Sequence, residues 1–213
     1  MSKAFVYDTK KIGKLYPKLK PWAGKLVKFL YKVQYVGTEN IPQGGGFILA
    51  CNHVTALDPV YLLSACPHRV CFMGKKELFE NPFTRWFLSG MNGFPINRRG
   101  ADTKAIAFAE TLLREGNVLG IFPEGTRSKT LEPQRAKGGV ALIAQATGAD
   151  VLPAAVYFSE KPHFRSRLTV RFGEVIPYAD LGLPEGERDT AALRAAANGI
   201  MERITALWAQ KHA

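Results

Sequence analysis

The sequence lacks most of the features that would assign a chemistry directly. Its 213 residues contain only three cysteines, an odd number with the spacing of no zinc or redox motif, so a reducing compartment is expected. There is no phosphate-binding loop, no dinucleotide fingerprint and no G-x-S-x-G nucleophile elbow. The histidines and cysteines are not clustered at metal-ligand spacing. Zinc, nucleotide-dependent and serine-hydrolase chemistry are therefore disfavoured, and no metal and no cofactor is expected.

Long hydrophobic runs are also missing. The longest stretch with few charges, residues 40–68, is interrupted by prolines, glycines, His53 and Asp58, so no spanning helix is expected. Lysines interrupt the first 32 residues, which excludes a secretory signal peptide. Hydrophobic residues nevertheless make up 46% of the chain and charged residues 22%, a composition that excludes intrinsic disorder. The length predicts one folded domain.

Acidic residues are scarce where the chain begins. The whole sequence has a net charge of +11, and residues 1–32 contain nine lysines against a single acidic residue, Asp8. Apolar side chains in residues 18–33 recur at helical spacing with lysines on another face, and residues 12–19 repeat the pattern. Pro17 and Pro21 should break or kink the chain between the two stretches. We therefore predict two short basic amphipathic helices.

Such helices are typical of a segment that lies among lipid headgroups, where each lysine near an anionic surface contributes about 1 kcal/mol. A helix that packs on the domain with a solvated lysine face is the plainer alternative. Nucleic-acid binding is a weaker one, because no nucleic-acid-binding motif accompanies the lysines. The residues expected to contact a membrane are Lys11, Lys14, Lys18, Trp22, Lys25, Leu26, Lys28, Phe29, Leu30 and Lys32.

The rest of the chain alternates short apolar runs with helical patterns. This alternation predicts an α/β fold: a single domain with a mixed, largely buried sheet flanked by helices. Residues 1–33 are assigned to the membrane-binding helices and residues 34–213 to the α/β domain. The predicted strands are 33–36, 46–51, 69–73, 93–96, 118–122, 151–158 and 168–172. The predicted helices after the amino-terminal segment are 58–64, 82–88, 103–114, 138–148 and 188–211.

One candidate catalytic pair follows the second apolar run. His53 comes directly after a predicted strand, and Asp58 lies five residues further on, within reach of its ring if the chain turns into a helix. A carboxylate that accepts from one imidazole nitrogen leaves the other free to act as a base. On spacing alone, an ordinary structural histidine is the favoured interpretation. The other three histidines are interpreted as structural or exposed.

Three further segments contain cations in positions that could bind an anion. The loop Phe122-Pro123-Glu124-Gly125-Thr126-Arg127-Ser128 leaves a predicted strand, and its arginine offers a planar fork that suits a phosphate. Arg98 follows the short run Phe94-Pro95-Ile96-Asn97. Lys137 precedes two glycines at the start of a predicted helix, a place that attracts anions but is also an ordinary helix start.

Taken together and in this order, these motifs resemble those of the glycerolipid acyltransferase family, best known for its 1-acylglycerol-3-phosphate O-acyltransferases. The matching blocks are NH-x-x-x-x-D at 52–58, FPINR at 94–98, FPEGTRS at 122–128 and VLPA at 151–154. The second block departs from the family's common pattern, because Asn97 stands where an acidic residue often precedes the arginine. The resemblance implies an α/β domain preceded by an amphipathic two-helix membrane-binding segment.

The resemblance also implies an activity: acyl transfer from acyl-CoA or acyl carrier protein to the 2-hydroxyl of lysophosphatidic acid, which yields phosphatidic acid. His53 would act as the base and Asp58 would orient it. Arg98, Arg127 and Lys137 would hold the acceptor phosphate, and Glu124, Gly125 and Thr126 would form the rest of the binding loop.

The expected partners are an anionic membrane surface, lysophosphatidic acid and the acyl donor, with no nucleic acid, at the cytoplasmic face of the cell membrane. The alternatives are transfer to another lysolipid acceptor, such as a lysophospholipid or a lyso-ornithine lipid, a non-catalytic lipid-binding relative, and a basic nucleic-acid binder.

Overall fold

Seven apolar runs of the sequence pair side by side in one sheet. The computed structural model describes residues 5–97, 102–184, 186 and 189–213. Each strand overlaps a predicted apolar run, so the seven strand predictions are confirmed. The strands are β1 (Lys32–Val36), β2 (Ile48–Cys51), β3 (Val70–Lys75), β4 (Gly93–Ile96), β5 (Val118–Ile121), β6 (Val151–Tyr157) and β7 (Arg167–Phe172).

The sheet is mixed, as predicted. Its strand order is β1-β7-β6-β2-β5-β3-β4, and every neighbouring pair is parallel except β6 and β7. All four residues of β2 and of β5 are buried, because helices cover both faces of the sheet. Since β2, β5, β3 and β4 are parallel neighbours, their carboxyl ends meet at the same edge. Loops leaving that edge are the usual place for ligand sites in such sheets.

The described residues form six α-helices, and five of them pack on the two faces of the sheet. One core cluster joins the sheet to α4, α5 and α6, and the other joins it to α1 and α2. The caps agree with the sequence: Asp102 accepts from the Ala105 N–H at 3.1 Å, and Gly148 ends its helix at a φ of 63°. The helices are α1 (Tyr16–Leu30), α2 (Asp58–Ala65), α3 (Pro82–Gly90), α4 (Thr103–Arg114), α5 (Gly139–Thr147) and α6 (Thr190–Ala209).

The amino-terminal segment differs from the prediction of two helices, because the described residues contain one, α1. Residues 5–15 form turns and irregular structure. Gly13 has a φ of 79°, a left-handed conformation that no α-helix contains. Pro17 lies in the first turn of α1, where its missing N–H costs nothing, so it helps to start the helix instead of separating two helices. The helix then continues through Pro21.

Helix α1 has two apolar faces. Tyr16, Ala23 and Val27 are buried in the core cluster that also contains α2. A separate stripe at helical spacing stays exposed, and its members are Leu19 (41% exposed), Trp22 (61%), Leu26 (46%) and Phe29 (64%). Lysines flank this stripe, and the Lys25 ammonium lies 4.4 Å from the Trp22 ring centroid.

Nine of the ten residues predicted to contact a membrane are exposed, and the tenth, Leu30, is half-buried. Contact with a membrane stays a prediction, as does the domain boundary at residue 33. Among the residues that the structure describes, no helix has the length and hydropathy required to cross a bilayer.

Candidate active site

The candidate catalytic pair lies at the carboxyl edge of the sheet. His53 follows β2, and Asp58 is the first residue of α2, so the short loop between them folds the carboxylate back onto the ring. The His53 Nδ1 atom and the Asp58 Oδ2 atom are 2.7 Å apart. With Nδ1 donating to the carboxylate, Nε2 is the nitrogen left unprotonated to face a substrate. The sequence prediction of this pair agrees with the geometry.

Asp58 is fully buried, and its charge is supported by donors close to it in the chain. Its carboxylate accepts from the backbone N–H groups of Val54 at 2.6 Å and Thr55 at 2.9 Å, and from the Thr55 hydroxyl at 2.8 Å. A buried carboxylate needs such partners to remain in place. These bonds fix the carboxylate independently of the histidine, so the histidine ring is oriented by a rigid acceptor.

The loop after β5 completes the support of the histidine. The Phe122 ring stacks on the His53 ring with centroids 4.1 Å apart and an interplanar angle of 17°. The Ser128 N–H donates to the His53 carbonyl at 2.7 Å. Since β2 and β5 are adjacent and parallel, the two predicted motifs are brought together by the sheet itself.

Glu124 belongs to the same loop, and its side chain is buried, with the residue only 2% exposed. Its Oε1 atom accepts from the His53 backbone N–H at 3.1 Å. Burial raises the pKa of its carboxyl to about 7; the backbone N–H groups of His53 and Gln134 oppose this rise, and the negative charge of Asp58 adds to it. Glu124 therefore connects the two loops and is not among the residues that line the cavity.

An apolar cavity of about 630 Å³ opens beside His53. Its walls come from β3, β4, β5 and the helices α3, α4 and α5, and most of its surface is hydrocarbon. This volume is within the ordinary range for small-molecule sites. Large apolar side chains in its lining include Phe72, Phe79, Phe83, Phe87, Ile106 and Ile143.

Two of the predicted phosphate-binding cations lie at this cavity. Arg127 and Lys137 both line it, both are exposed, and neither has a side-chain hydrogen bond or ion pair within the described ranges of the chain. Gly125 lies between them at a φ of 70°, and a Cβ there would meet the Lys137 Cδ atom at 3.2 Å. This glycine therefore gives the loop its shape and leaves room for the lysine.

The remaining predicted binding residues have other positions. Thr126 is exposed and does not line the cavity. Arg98 lies outside the described residues, while its neighbour Asn97 is at the cavity wall. Two of the histidines interpreted as structural or exposed fit that interpretation. The His68 Nε2 atom lies 2.7 Å from the Pro42 carbonyl oxygen, and His163 is exposed beside Glu160.

Sequence reasoning missed two kinds of functional residue. Thr55 contacts Asp58 and Phe122 stacks on His53, and both lie inside motifs that had been found, so the motifs themselves were the available signal. The apolar cavity wall gave none, because aromatic residues on β3, on α3 and in the segments between elements look like ordinary core residues in a sequence.

Chemically, the site offers a general base, an apolar channel and unpaired cations. The base is an imidazole whose Nδ1 is held by a buried carboxylate, which is the arrangement that removes a proton from a hydroxyl. No group of three or more potential metal ligands occurs within residues 5–97, 102–184, 186 and 189–213. These features define a class of α/β protein that places a histidine base beside a long apolar pocket.

Comparison with known proteins identifies the family within that class. A family model described as "Acyltransferase" matches residues 32–157. A 1-acyl-sn-glycerol-3-phosphate acyltransferase of Bacillus subtilis is 35% identical over 80% of this chain and 87% of its own length. One from Borreliella burgdorferi is 34% identical over 74% of this chain and 66% of its own.

A solved structure has the same fold. The crystal structure of the 1-acyl-sn-glycerophosphate acyltransferase PlsC from Thermotoga maritima superposes with a TM-score of 0.71 at 22% identity, covering 92% of this chain and 80% of that one. The chain belongs to the acyltransferase family, as the sequence motifs predicted, and it is an acyltransferase.

Proposed function

We propose that this acyltransferase moves an acyl chain from a thioester to the 2-hydroxyl of 1-acylglycerol-3-phosphate and so makes phosphatidic acid. The single observation that carries the proposal is the 2.7 Å contact between His53 and a buried Asp58 at the mouth of an apolar cavity with two unpaired cations. The names of the Bacillus and Borreliella relatives support the same acceptor.

The reaction follows from the geometry of the pair. The Nε2 atom of His53 removes the proton from the acceptor hydroxyl as its oxygen attacks the thioester carbonyl. Collapse of the tetrahedral intermediate breaks the C–S bond, and the thiolate leaves with the proton from the imidazolium. Asp58 orients the ring and stabilises its positive charge, and base catalysis of this kind contributes roughly 10²–10⁴-fold.

The acceptor phosphate is assigned to Arg127 and Lys137. A guanidinium binds two phosphate oxygens in one plane, and an ammonium adds a point charge on the other side. Arg98 is proposed as a third cation that binds the same phosphate. The acyl chain of the donor is assigned to the apolar cavity, whose aromatic and aliphatic lining suits hydrocarbon.

The acyl donor in this proposal is a thioester of coenzyme A or of acyl carrier protein. The protein is also proposed to attach peripherally to the cytoplasmic face of an anionic membrane. Attachment is supported by the exposed apolar stripe of α1 and by the lysines on either side of it. No nucleic acid and no cofactor takes part.

A thiol-release assay tests the function. Purified protein is given palmitoyl thioesters of both carriers with a panel of lysolipid acceptors, and free thiol is followed optically. We expect release that depends on 1-acylglycerol-3-phosphate and that is lost in His53→Ala, with His163→Ala as the control because His163 is exposed. Full activity of His53→Ala would end the proposed mechanism.

The same panel tests the second candidate function, transfer to a lysophospholipid or a lyso-ornithine lipid. Asn97 at the cavity wall is the observation behind this alternative, because an acidic residue is commoner at this place in the family. Turnover with those acceptors and none with the phosphate monoester would replace the first proposal by the second.

A further inference from the structure

A second exposed apolar surface lies on and beside α3, next to the cavity. We call it the α3 patch, and its four members are Leu78 (50% exposed), Phe83 (72%), Trp86 (59%) and Phe87 (44%). The three aromatic residues recur at i, i+3 and i+4 on α3, so they share one face of the helix. Large aromatic side chains exposed together on a short helix mark a contact surface.

The α3 patch is continuous with the cavity. Leu78, Phe83 and Phe87 line the cavity and are also exposed, so they form part of its rim, whereas Trp86 lies only on the outer surface. A hydrocarbon chain that leaves the cavity across this rim meets further apolar side chains instead of water.

Helix α3 is also anchored to the segment that leads into α1. The Gly13 N–H donates to the Ser89 carbonyl at 2.7 Å, and the Leu15 N–H donates to the Gly90 carbonyl at 2.9 Å. A Cβ on Gly90 would lie 2.6 Å from the Leu15 side chain, which shows how closely the two pieces pack. The helices that carry the α1 stripe and the α3 patch are therefore joined through residues 13–15.

We propose that the α3 patch inserts into the acyl-chain region of a lipid layer and opens the cavity directly to the membrane. Acyl chains would then move between the bilayer and the cavity without crossing water. The inference rests on the proposed function, since a membrane-resident lysolipid and product are what give the patch its partner. The patch would act in addition to the lysine-flanked stripe of α1.

The charge around the patch favours a lipid layer over an acidic carrier protein. Residues 75–87 contain three basic and two acidic side chains, so the segment is close to neutral. Lys75 is moreover paired with Glu77 at 3.6 Å. Docking of a strongly acidic protein requires a dense cationic surface, whereas insertion into hydrocarbon requires exposed aromatic residues with little charge among them.

The three tryptophans allow a direct test. Trp86 is on the patch, Trp22 is on the stripe of α1, and Trp208 is on α6 beside Tyr157. Full-length variants that keep one tryptophan each are made by Trp→Phe substitution at the other two. They are mixed with phosphatidylglycerol vesicles whose acyl chains carry a bromine quencher, and sedimentation verifies binding.

We expect the Trp86 emission to shift to the blue and to be quenched by the brominated chains, and the Trp208 emission to stay unchanged. Trp86→Ser should weaken vesicle binding by on the order of tenfold, because one large aromatic side chain is no longer buried in lipid. Its turnover of a short-chain, water-soluble acceptor should equal that of the wild type.

A water-like Trp86 on protein that sediments with vesicles would overturn the inference, as would protein that does not sediment at all. A blue shift without vesicles that grows with protein concentration would assign the patch to a second copy, and one produced only by acyl carrier protein would assign it to that donor. Turnover of the soluble acceptor keeps these failures separate from failure of the proposed function.

Discussion

At the scale of single residues, the site depends on a carboxylate that is fixed before any substrate arrives. Asp58 accepts hydrogen bonds from two backbone N–H groups and one hydroxyl in addition to the histidine ring. Preorganised groups of this kind cost no rearrangement in the transition state. The pair should therefore respond to small chemical changes that leave its shape intact.

Asp58→Asn is such a change. The amide keeps the volume but removes the charge that stabilises the imidazolium. Its N–H₂ group can also donate to Nδ1 and so favour the wrong tautomer, and we expect kcat to fall by about 10²–10⁴-fold. Thiol release under saturating acceptor measures this fall, and the circular dichroism melting curve checks that the protein remains folded. Asp180→Asn, at an exposed position, is the matched control. An Asp58→Asn enzyme with wild-type kcat would contradict the assigned role.

Glu124 predicts a pH dependence of stability. Its folded-state pKa of about 7 lies above the ordinary value of 4.5, so between these values the folded protein binds more protons than the unfolded chain. The free energy of unfolding must then decrease as the pH rises from 4.5 to 7, and it stays lower above that range. Glu124→Gln removes this proton uptake.

The measurement is the melting temperature of wild type and Glu124→Gln from pH 5 to pH 8. We expect the difference between them to move in favour of the variant as the pH rises, with most of the change complete near pH 7. A constant difference across the range, or one that moves in favour of the wild type, would contradict the raised pKa of Glu124.

The contact between the two candidate catalytic residues was predictable because their motif is local. His53 and Asp58 are five residues apart, and the turn into α2 that unites them is short. Phe122 was not assigned to the histidine, because its stacking depends on β2 lying beside β5 and no local pattern encodes that pairing.

At the scale of elements, α1 has two apolar faces, one buried against the domain and one exposed. Val27 is buried against the domain, whereas Trp22 and Leu26 lie on the exposed stripe. The sequence pattern showed an apolar helix but did not separate these faces, because both are apolar and lysines fill the gaps between them.

Paired substitutions separate the two faces. Trp22→Ser with Leu26→Ser should lower partitioning onto anionic vesicles by about tenfold or more, because two side chains leave the lipid, and it should leave the melting temperature almost unchanged. Val27→Ser on the same helix should do the reverse, at a cost of about 2 kcal/mol in the free energy of unfolding. Vesicle sedimentation and thermal melting measure the two effects. Equal sedimentation of wild type and the double variant would place the attachment elsewhere.

The secondary structure was largely predictable, for a physical reason. The strands are apolar runs bounded by glycine, proline and polar residues, and α4 carries its own start signal, Asp102. The amino-terminal prediction of two helices was wrong because helical periodicity in residues 12–19 was given more weight than Gly13. The positive φ of this glycine depends on tertiary contacts, because the Asn92 and Arg69 side chains occupy the space that a Cβ would fill.

At the scale of the whole molecule, the order of the strands creates the site. The His53 and Glu124 loops are 71 residues apart in the chain and become neighbours only because β2 and β5 pair in parallel. The cavity likewise needs α3, α4 and α5 around the same sheet edge. Neither the strand order nor the cavity follows from local pattern, which is why the apolar channel was absent from the sequence predictions.

Product analysis with a labelled donor tests the central claim most directly. Palmitoyl thioester labelled with ¹³C in its acyl chain is incubated with unlabelled 1-acylglycerol-3-phosphate, and the lipids are resolved by mass spectrometry with positional digestion. We expect phosphatidic acid with the label at the 2-position from wild type and none from His53→Ala. Label found only in free fatty acid, or labelled phosphatidic acid formed equally by His53→Ala, would contradict acyl transfer by this histidine.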